Sequence, residues 1–311
     1  MAGEAVKIRV LGSAAGGGFP QWNCNCPNCS GVRNGTLRAV PRTQSSIAVS
    51  GNDWARWTLV NVSPDILVQL RANPMLQGSR AIRDSTIAGI VLVDGQIDHT
   101  AGLLMLRESG AALPVWCTDE VRADLSQGHP VFSILAHYCG VELHRLVPDG
   151  RGFAIPGIAG LSWHALAVAG KPAPYSPHRE SPVTGDNIAL VIRDDESARA
   201  IVYAPGVGAM HEALWQAMQT AACVLIDGTF WSDDEMPALG ISAKRARAIG
   251  HLPQSGPGGM LEWLGQLPAD TRRILIHVNN TNPILDENSA QRAELSRRGI
   301  EVACDGLEIE L

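Results

Sequence analysis

"TIAGIVLVDGQIDHTAGLLML", residues 86–106, is the stretch whose reading decides the fold. Residues 86–93 are apolar or β-branched at odd and even positions alike, the pattern of a strand buried on both faces. Four polar side chains follow at once, Asp94, Gln96, Asp98 and His99, and Thr100 is placed to cap a helix over AGLLMLRES. Polar groups hung at the carboxyl end of a buried strand are how α/β sheets build sites. The expectation is a layered α/β protein whose chemistry sits at strand ends.

Similar runs recur along the chain: KIRVLGSA, SSIAVSG, WTLVNVS and PVWCT in the first half; LSWHALAV, NIALVIRD, AIVYAPG, CVLIDGTF and RILIHVN in the second. Each is bounded by Gly, Pro, Asn or Asp, so each reads as a strand. Ser63-Pro64-Asp65 reads as a helix cap with proline at the first helical position, leading into ILVQLRA. VGAMHEALWQAM and SAQRAELSRRG have amphipathic helical spacing. Two groups of strands, each followed by helices, predict two mixed β-sheets packed together with helices outside, a four-layer αββα sandwich. No linker-like segment divides residues 1–311, so one domain is expected. The proline-rich stretch KPAPYSPHRESPVTGD reads as an ordered loop over a site.

Composition narrows the function. With 311 residues, 45% hydrophobic, the chain can bury a large core; a net charge of −6 without basic blocks argues against nucleic acid as a partner. The first residues, with Glu4 and a short apolar stretch broken by glycines, do not read as a signal peptide, and no apolar run is long enough for a membrane span. Three of the seven cysteines, Cys24, Cys26 and Cys29, crowd into one loop. That suits a reducing compartment and a metal clip better than a disulfide framework, so a cytoplasmic location is expected. Three thiolates call for structural Zn²⁺ and a fourth ligand. Asp305 or Cys304, near the chain end, are the expected donors, tying an N-terminal clip loop to the C-terminal segment.

DGQIDHTAGL resembles the H-x-H-x-D-H turn of the metallo-β-lactamase superfamily. DGTFWSDDEM…GHLPQSG is similar to the E-A-T-F…G-H-S-T segment of its phosphodiesterase and tRNA-processing branch, and ILIHVNNTNPIL to the strand that delivers the last histidine. The resemblance covers nearly the whole chain and implies the αββα fold with two metals side by side. In that pattern two histidines and a third hold the first metal, an Asp-His pair and a final histidine hold the second, and an aspartate bridges them. Here the first pair is Asp94 and Gln96, the third histidine is His178, and Pro205 or Gly206 stands where the bridge belongs. The second set survives as Asp98, His99 and His277.

Two histidines and one carboxylate with open positions are the set used by non-haem Fe(II) oxygenases. The remnant therefore favours Fe²⁺ with O₂ over zinc hydrolysis, with Zn²⁺ as the other ion for the site. Asp94 and Gln96 read as groups orienting His99 or a bound water, or Asp94 as a weak ligand. By the resemblance Asp227 orients His251, which acts as an acid in the related branch; here His251 ligates or shuttles protons. The remaining histidines read as surface or core residues. With the cysteine loop and HVNNTNPIL, the chain is most similar to a family working in biosynthesis of the redox cofactor pyrroloquinoline quinone. That implies a small Glu-Tyr-derived intermediate as substrate, with hydroxylation of its tyrosine ring. Arg179, Arg42, Ser45, Ser46, Asn279 and Asn280 are candidates to hold its carboxylates. Three alternatives stay open: a carrier that binds the finished quinone for transport, a zinc hydrolase, and a scaffold.

Overall fold

The computed structural model describes residues 6–52, 54–78 and 80–311, so Glu4 lies outside the described residues. Fourteen strands are present among them: β1 Lys7–Gly12, β2 Ser46–Ser50, β3 Trp57–Val60, β4 Ile87–Val91, β5 Leu113–Cys117, β6 Val141–Arg145 and β7 Asp149–Phe153, followed by β8 Leu161–Ala167, β9 Ile188–Asp194, β10 Ala200–Ala204, β11 Cys223–Asp227, β12 Arg272–Ile276, β13 Ile300–Val302 and β14 Glu308–Glu310. They form two seven-stranded mixed sheets, ordered β14-β1-β2-β3-β4-β5-β6 and β13-β12-β11-β10-β9-β8-β7. β3 to β6 run parallel, as do β10 to β13, and the remaining pairs are antiparallel.

Alternation along each central strand divides the side chains between two cores. Ile47, Val49, Val60 and Val91 of the first sheet meet Trp163, Leu190, Ile201, Tyr203, Leu225 and Ile274 of the second in the central layer. The opposite parity faces outward. Ala48, Leu59, Ile90 and Val115 pack with Ile66, Leu103, Val121 and Leu135 on one side, and Val202, Val224 and Leu275 with Leu214, Met218, Leu261 and Leu295 on the other. Both faces of each sheet are covered, so its central strands read as continuous apolar runs. The fold is the αββα metallo-β-lactamase fold expected.

Several local readings differ from the structure. The first helix of the site begins at Ile97, ahead of Thr100, and the Thr100 hydroxyl donates back to the Gln96 carbonyl (2.8 Å), so it caps nothing. ILVQLRA is helical over Ile66–Ala72, but Pro64 precedes the helix and the Asp65 carboxylate serves Gln44 instead of the helix amides. β6, β7, β13 and β14 were not foreseen: they are short and half-exposed, so their apolar signal is weak. Ser289 does cap the helix Ala290–Arg297, accepting from the Arg292 amide at 3.0 Å.

The turn after β4 is held against the end of β3. The Val62 amide donates to the His99 carbonyl (2.7 Å) and the Gly102 amide to the Val62 carbonyl (3.0 Å). That approach leaves no room for a side chain, since a Cβ on Gly102 would lie 2.0 Å from the Ser63 carbonyl oxygen. Gly102→Ala is therefore expected to destabilise the protein by about 1–3 kcal/mol through overpacking. A thermal melt that matches the wild type would show that this contact does not hold the turn.

Candidate metal centre and cavity

The carboxyl ends of the parallel strands converge on one edge of the sandwich. β4 delivers Asp94, Asp98 and His99; β11 ends in Asp227 with Thr229 just beyond; His277 directly follows β12. A cavity of about 330 Å³ opens over them, with Gln96, Gly206, Phe230, His251 and Asn279 in its wall.

Ligand atoms of Asp98, His99 and His277 lie within 4.8 Å of one another. The Nδ1 of His99 donates to both oxygens of Asp94, at 2.9 and 2.8 Å. Its Nε2 is left buried, without a hydrogen-bond partner and 3.8 Å from Asp98 Oδ2. His277 is fixed in the same sense by Thr229. The Thr229 hydroxyl lies 2.6 Å from Asp227 Oδ1, 2.9 Å from His277 Nδ1 and 3.1 Å from His251 Nδ1. It has one proton, and the carboxylate oxygen, which can only accept, takes it. The hydroxyl oxygen then accepts from His277 Nδ1–H, and the bare Nε2 of His277 faces Asp98 Oδ2 at 3.2 Å. The two Nε2 atoms and the Asp98 carboxylate thus meet at one point, which suits a cation: a metal ion, or in its place a proton on His99. His277 reaches this position with a left-handed backbone, φ +60°, the kind of strain that collects at sites.

Electrostatics follow the same lines. Burial opposes charge on Asp98, but His99 and His277 overrule it and hold the carboxyl well below the usual range. Burial likewise opposes a proton on His99, and the Asp94 and Asp98 carboxylates outweigh it, raising the imidazole to about 9. A metal ion would have to displace that proton. His277 is pushed down, mainly by burial.

His251 is a separate arm. Its Nδ1 donates to Asp227 Oδ2 at 2.8 Å. Asp227 also accepts from the amides of Val207 (2.8 Å) and Thr229 (2.9 Å) as well as the Thr229 hydroxyl, so it is fully engaged and completely buried. Burial opposes protonation of His251, yet Asp227 raises its pKa. Asp227, His251 and His277 also lie close enough to share an ion. Thr229 already sits between them, so they form a proton network and not a second cation site.

The positions of the absent first metal are occupied otherwise. Asp94 is turned to His99, and Gln96 lines the cavity while donating to the Lys171 carbonyl at 3.2 Å. His178 lies outside the cavity wall: its Nε2 pairs with Asp186 and its Nδ1 with Ser176 (3.3 Å). A Cβ on Gly206, where a bridging carboxylate would stand, would meet the His251 ring at 3.8 Å. Asn279 and Arg179 line the cavity. Ser45 does not; it is buried against the Tyr203 hydroxyl at 3.5 Å. Ser46 bonds Gln69 and Arg42 the Ala303 carbonyl, also away from the cavity. Thr229 is the functional residue that the sequence reading missed, although it lies within the DGTF stretch.

The cysteine clip is assembled as expected, with the three sulfurs of Cys24, Cys26 and Cys29 within 4.8 Å of one another. Its fourth corner is not what was expected. Asp305 accepts from Ser13 Oγ (2.8 Å), Thr43 N (2.7 Å) and Thr43 Oγ1 (2.7 Å), which engages both its oxygens, and it is not among the groups that gather with the sulfurs. Cys304, half-buried and free, makes no contact with the cluster. The side-chain amide of Asn280 stands there instead, 3.1, 3.7 and 3.3 Å from the sulfurs of Cys24, Cys26 and Cys29. A half-turn of that amide presents its oxygen to an ion held by three thiolates. Burial pushes the Cys26 thiol up to about 12, so without a cation it stays protonated.

Comparison with known proteins places these features in a lineage. Residues 56–278 match the family described as "Beta-lactamase superfamily domain". A coenzyme PQQ synthesis protein B from Azoarcus sp. (strain BH72) is 60% identical over 306 residues, covering 98% of this chain and 100% of the relative. One from Cupriavidus necator is 58% identical over 305 residues, covering 98% and 99%. The crystal structure of Zn²⁺-bound PqqB from Methylobacterium extorquens superposes with a TM-score of 0.88 at 36% identity, covering 98% of this chain and 100% of that one.

Two outcomes follow from this geometry. Asn280→Ala is expected to lower the zinc bound per chain, measured by plasma mass spectrometry, whereas Asp305→Asn leaves it unchanged; the reverse order would return Asp305 to the clip. Glu235, buried between the Trp231 amide (2.7 Å) and the Thr281 hydroxyl, is raised to about 7, chiefly by burial. Its folded pKa exceeds the unfolded value of about 4.3. The stability it contributes is therefore complete below about pH 4.3 and lost as pH rises through about 7. Glu235→Gln should melt close to wild type at pH 5 and above it at pH 8.5. A gap of the same size at both pH values would contradict the assignment.

Proposed function

Because the chain belongs to the beta-lactamase superfamily and, within it, to the coenzyme PQQ synthesis protein B family, we propose that it acts in the biosynthesis of pyrroloquinoline quinone (PQQ) as an oxygenase. The step assigned is hydroxylation of the tyrosine-derived ring of the cross-linked Glu-Tyr intermediate. One atom of O₂ enters the ring, the other leaves as water, and two electrons come from an external donor. The observation that carries this reading is the single set of Asp98, His99 and His277 facing an open cavity, with the positions of a second metal given to other contacts.

Two imidazoles and a carboxylate fit Fe(II), which when bound would supply activation of O₂ beside the phenol ring. The chain's own groups do the rest. Asp94 holds the His99 ring, and Thr229 holds that of His277, each through Nδ1. Phe230, Met236 and Ile249 offer an apolar wall to an aromatic substrate. His251, whose Nδ1 is taken by Asp227, has its Nε2 free to accept the ring proton lost when C–H becomes C–OH. Among the described residues no helix is long and apolar enough to cross a membrane. We place this chemistry in the cytoplasm because three clustered free thiols suit a reducing compartment.

The test is anaerobic loading with Fe(II), addition of the cross-linked Glu-Tyr diamino acid, admission of ¹⁸O₂ and measurement of product mass. A gain from ¹⁸O is expected with iron and not with zinc, lost in His277→Ala. In His251→Gln it should slow about 10²- to 10⁴-fold with the metal retained. No incorporation, with tight PQQ binding to every sample, would make the protein a carrier. Turnover of the zinc form without O₂ would make it a hydrolase.

A further inference from the structure

The chain has three lysines, Lys7, Lys171 and Lys244, among 25 basic residues. Two of those three, Lys171 and Lys244, line the cavity over the metal centre, and Arg179 lines it with them. Other surface cations of this protein are ion-paired, as in Arg145 with Asp119, Arg272 with Glu301 and Lys7 with Glu310. The Lys171, Lys244 and Arg179 side chains make no ion pair or hydrogen bond with any described residue. The acids in the cavity wall are Asp94 and Asp98, both at its floor and already facing His99 and His277. In a protein of net charge −6, three unpaired cations at one mouth are a local inversion of sign.

Their backbones are fixed although their heads are free. Lys171 begins the proline-rich loop, where its carbonyl accepts from Gln96 (3.2 Å) and the neighbouring Ala169 carbonyl accepts from the Gly208 amide (2.7 Å). Arg179 follows His178, whose pair with Asp186 and contact with Ser176 pin that loop. Lys244 comes from a second segment, which the Ala246 amide ties to the Asp233 carbonyl at 2.9 Å. The charges therefore come from two segments, the proline-rich loop with Lys171 and Arg179 and the one that carries Lys244. Phe230, Met236 and Ile249 line the same cavity. A compact anion such as phosphate would use the cations and leave these apolar side chains idle. Cations and apolar side chains in one cavity match a flat ring that carries carboxylates at its edge.

We infer that Lys171, Lys244 and Arg179 form a recognition rim that selects aromatic ligands bearing two or more carboxylates. The inference rests on the reading of this cavity as the substrate site. Arg179 supplies a planar fork for one carboxylate, and the lysines supply point charges for the others. The rim raises the local concentration of such ligands and orients the ring edge-on to the metal centre.

The experiment is calorimetric titration of the zinc-loaded protein with benzene-1,3,5-tricarboxylate, benzoate and inorganic phosphate. The tricarboxylate should bind at least about tenfold more tightly than either of the others, each charge-assisted contact being worth about that much. Lys171→Gln, Lys244→Gln and Arg179→Gln should each weaken it about five- to tenfold and make it less sensitive to salt, and Lys244→Arg should keep most of the affinity. Equal affinity for all three probes, or a tricarboxylate affinity unmoved by all three glutamine variants, overturns the inference. Tricarboxylate preference without ¹⁸O incorporation would leave the rim standing and remove the oxygenase reading. Incorporation without that preference would do the opposite.

Discussion

The convergence of two imidazole Nε2 atoms on one carboxylate is the constraint around which this site is organised. Asp94 draws the proton of His99 to Nδ1, and the single hydroxyl proton of Thr229, committed to Asp227, forces that of His277 to Nδ1 as well. Both Nε2 atoms then face Asp98, which can only accept. Such a cluster is unfavourable alone and favourable around a cation. This explains why each imidazole is backed by a polar group that is itself buried. It also explains the tension between His99, raised by two carboxylates, and His277, lowered by burial: one ion would replace whichever proton the bare site retains.

The residues at the positions of the missing first metal have each acquired a partner. Asp94 keeps its place after the strand but serves as the anchor of His99. Gln96 ties the turn to the proline-rich loop, and His178 with Asp186 staples that loop from inside. A carboxylate and an amide stand where the superfamily pattern has two imidazoles, and Gly206, beside the His251 ring, stands where it has the bridge. A cavity is left in front of Asp98, His99 and His277. Space on the open side suits a reaction in which a second molecule must approach the metal together with the substrate.

How far this was legible in the sequence depended on whether the signal was local. Strands buried on both faces announced themselves, because their neighbours on either side are apolar whatever the register. β6, with one residue in two at the surface, and the three-residue β13 and β14 carry no such pattern and are strands only because a neighbour pairs with them. Asp98, His99 and His277 stood out as polar groups at strand ends. Asn280 did not, since its placement among three sulfurs more than 250 positions away is a tertiary fact. Asp305 looked right because the chain end does return to β1, yet Ser13 and Thr43 reach it first. The lysines could have been noticed by counting: of only three, one begins the predicted loop and another lies in the segment after DGTFWSDDEM.

One short stretch joins the two metal-binding features. Residues 277–281 read HVNNT: His277 faces Asp98, Asn279 lines the cavity, Asn280 enters the cysteine cluster and Thr281 bonds the buried Glu235. Val278 within it is pinned on both sides, its amide donating to the Ser13 carbonyl and its carbonyl accepting from the Ala15 amide, each at 2.9 Å. His277 must hold a left-handed backbone, which costs of order 1–3 kcal/mol unless its surroundings enforce it. The clip, the Ser13–Ala15 segment and Glu235 supply that enforcement from three directions. On this view the cysteine cluster does more than close a loop. By fixing Asn280, three residues beyond His277, it helps to hold His277 against Asp98 in a conformation that the chain would not adopt by itself.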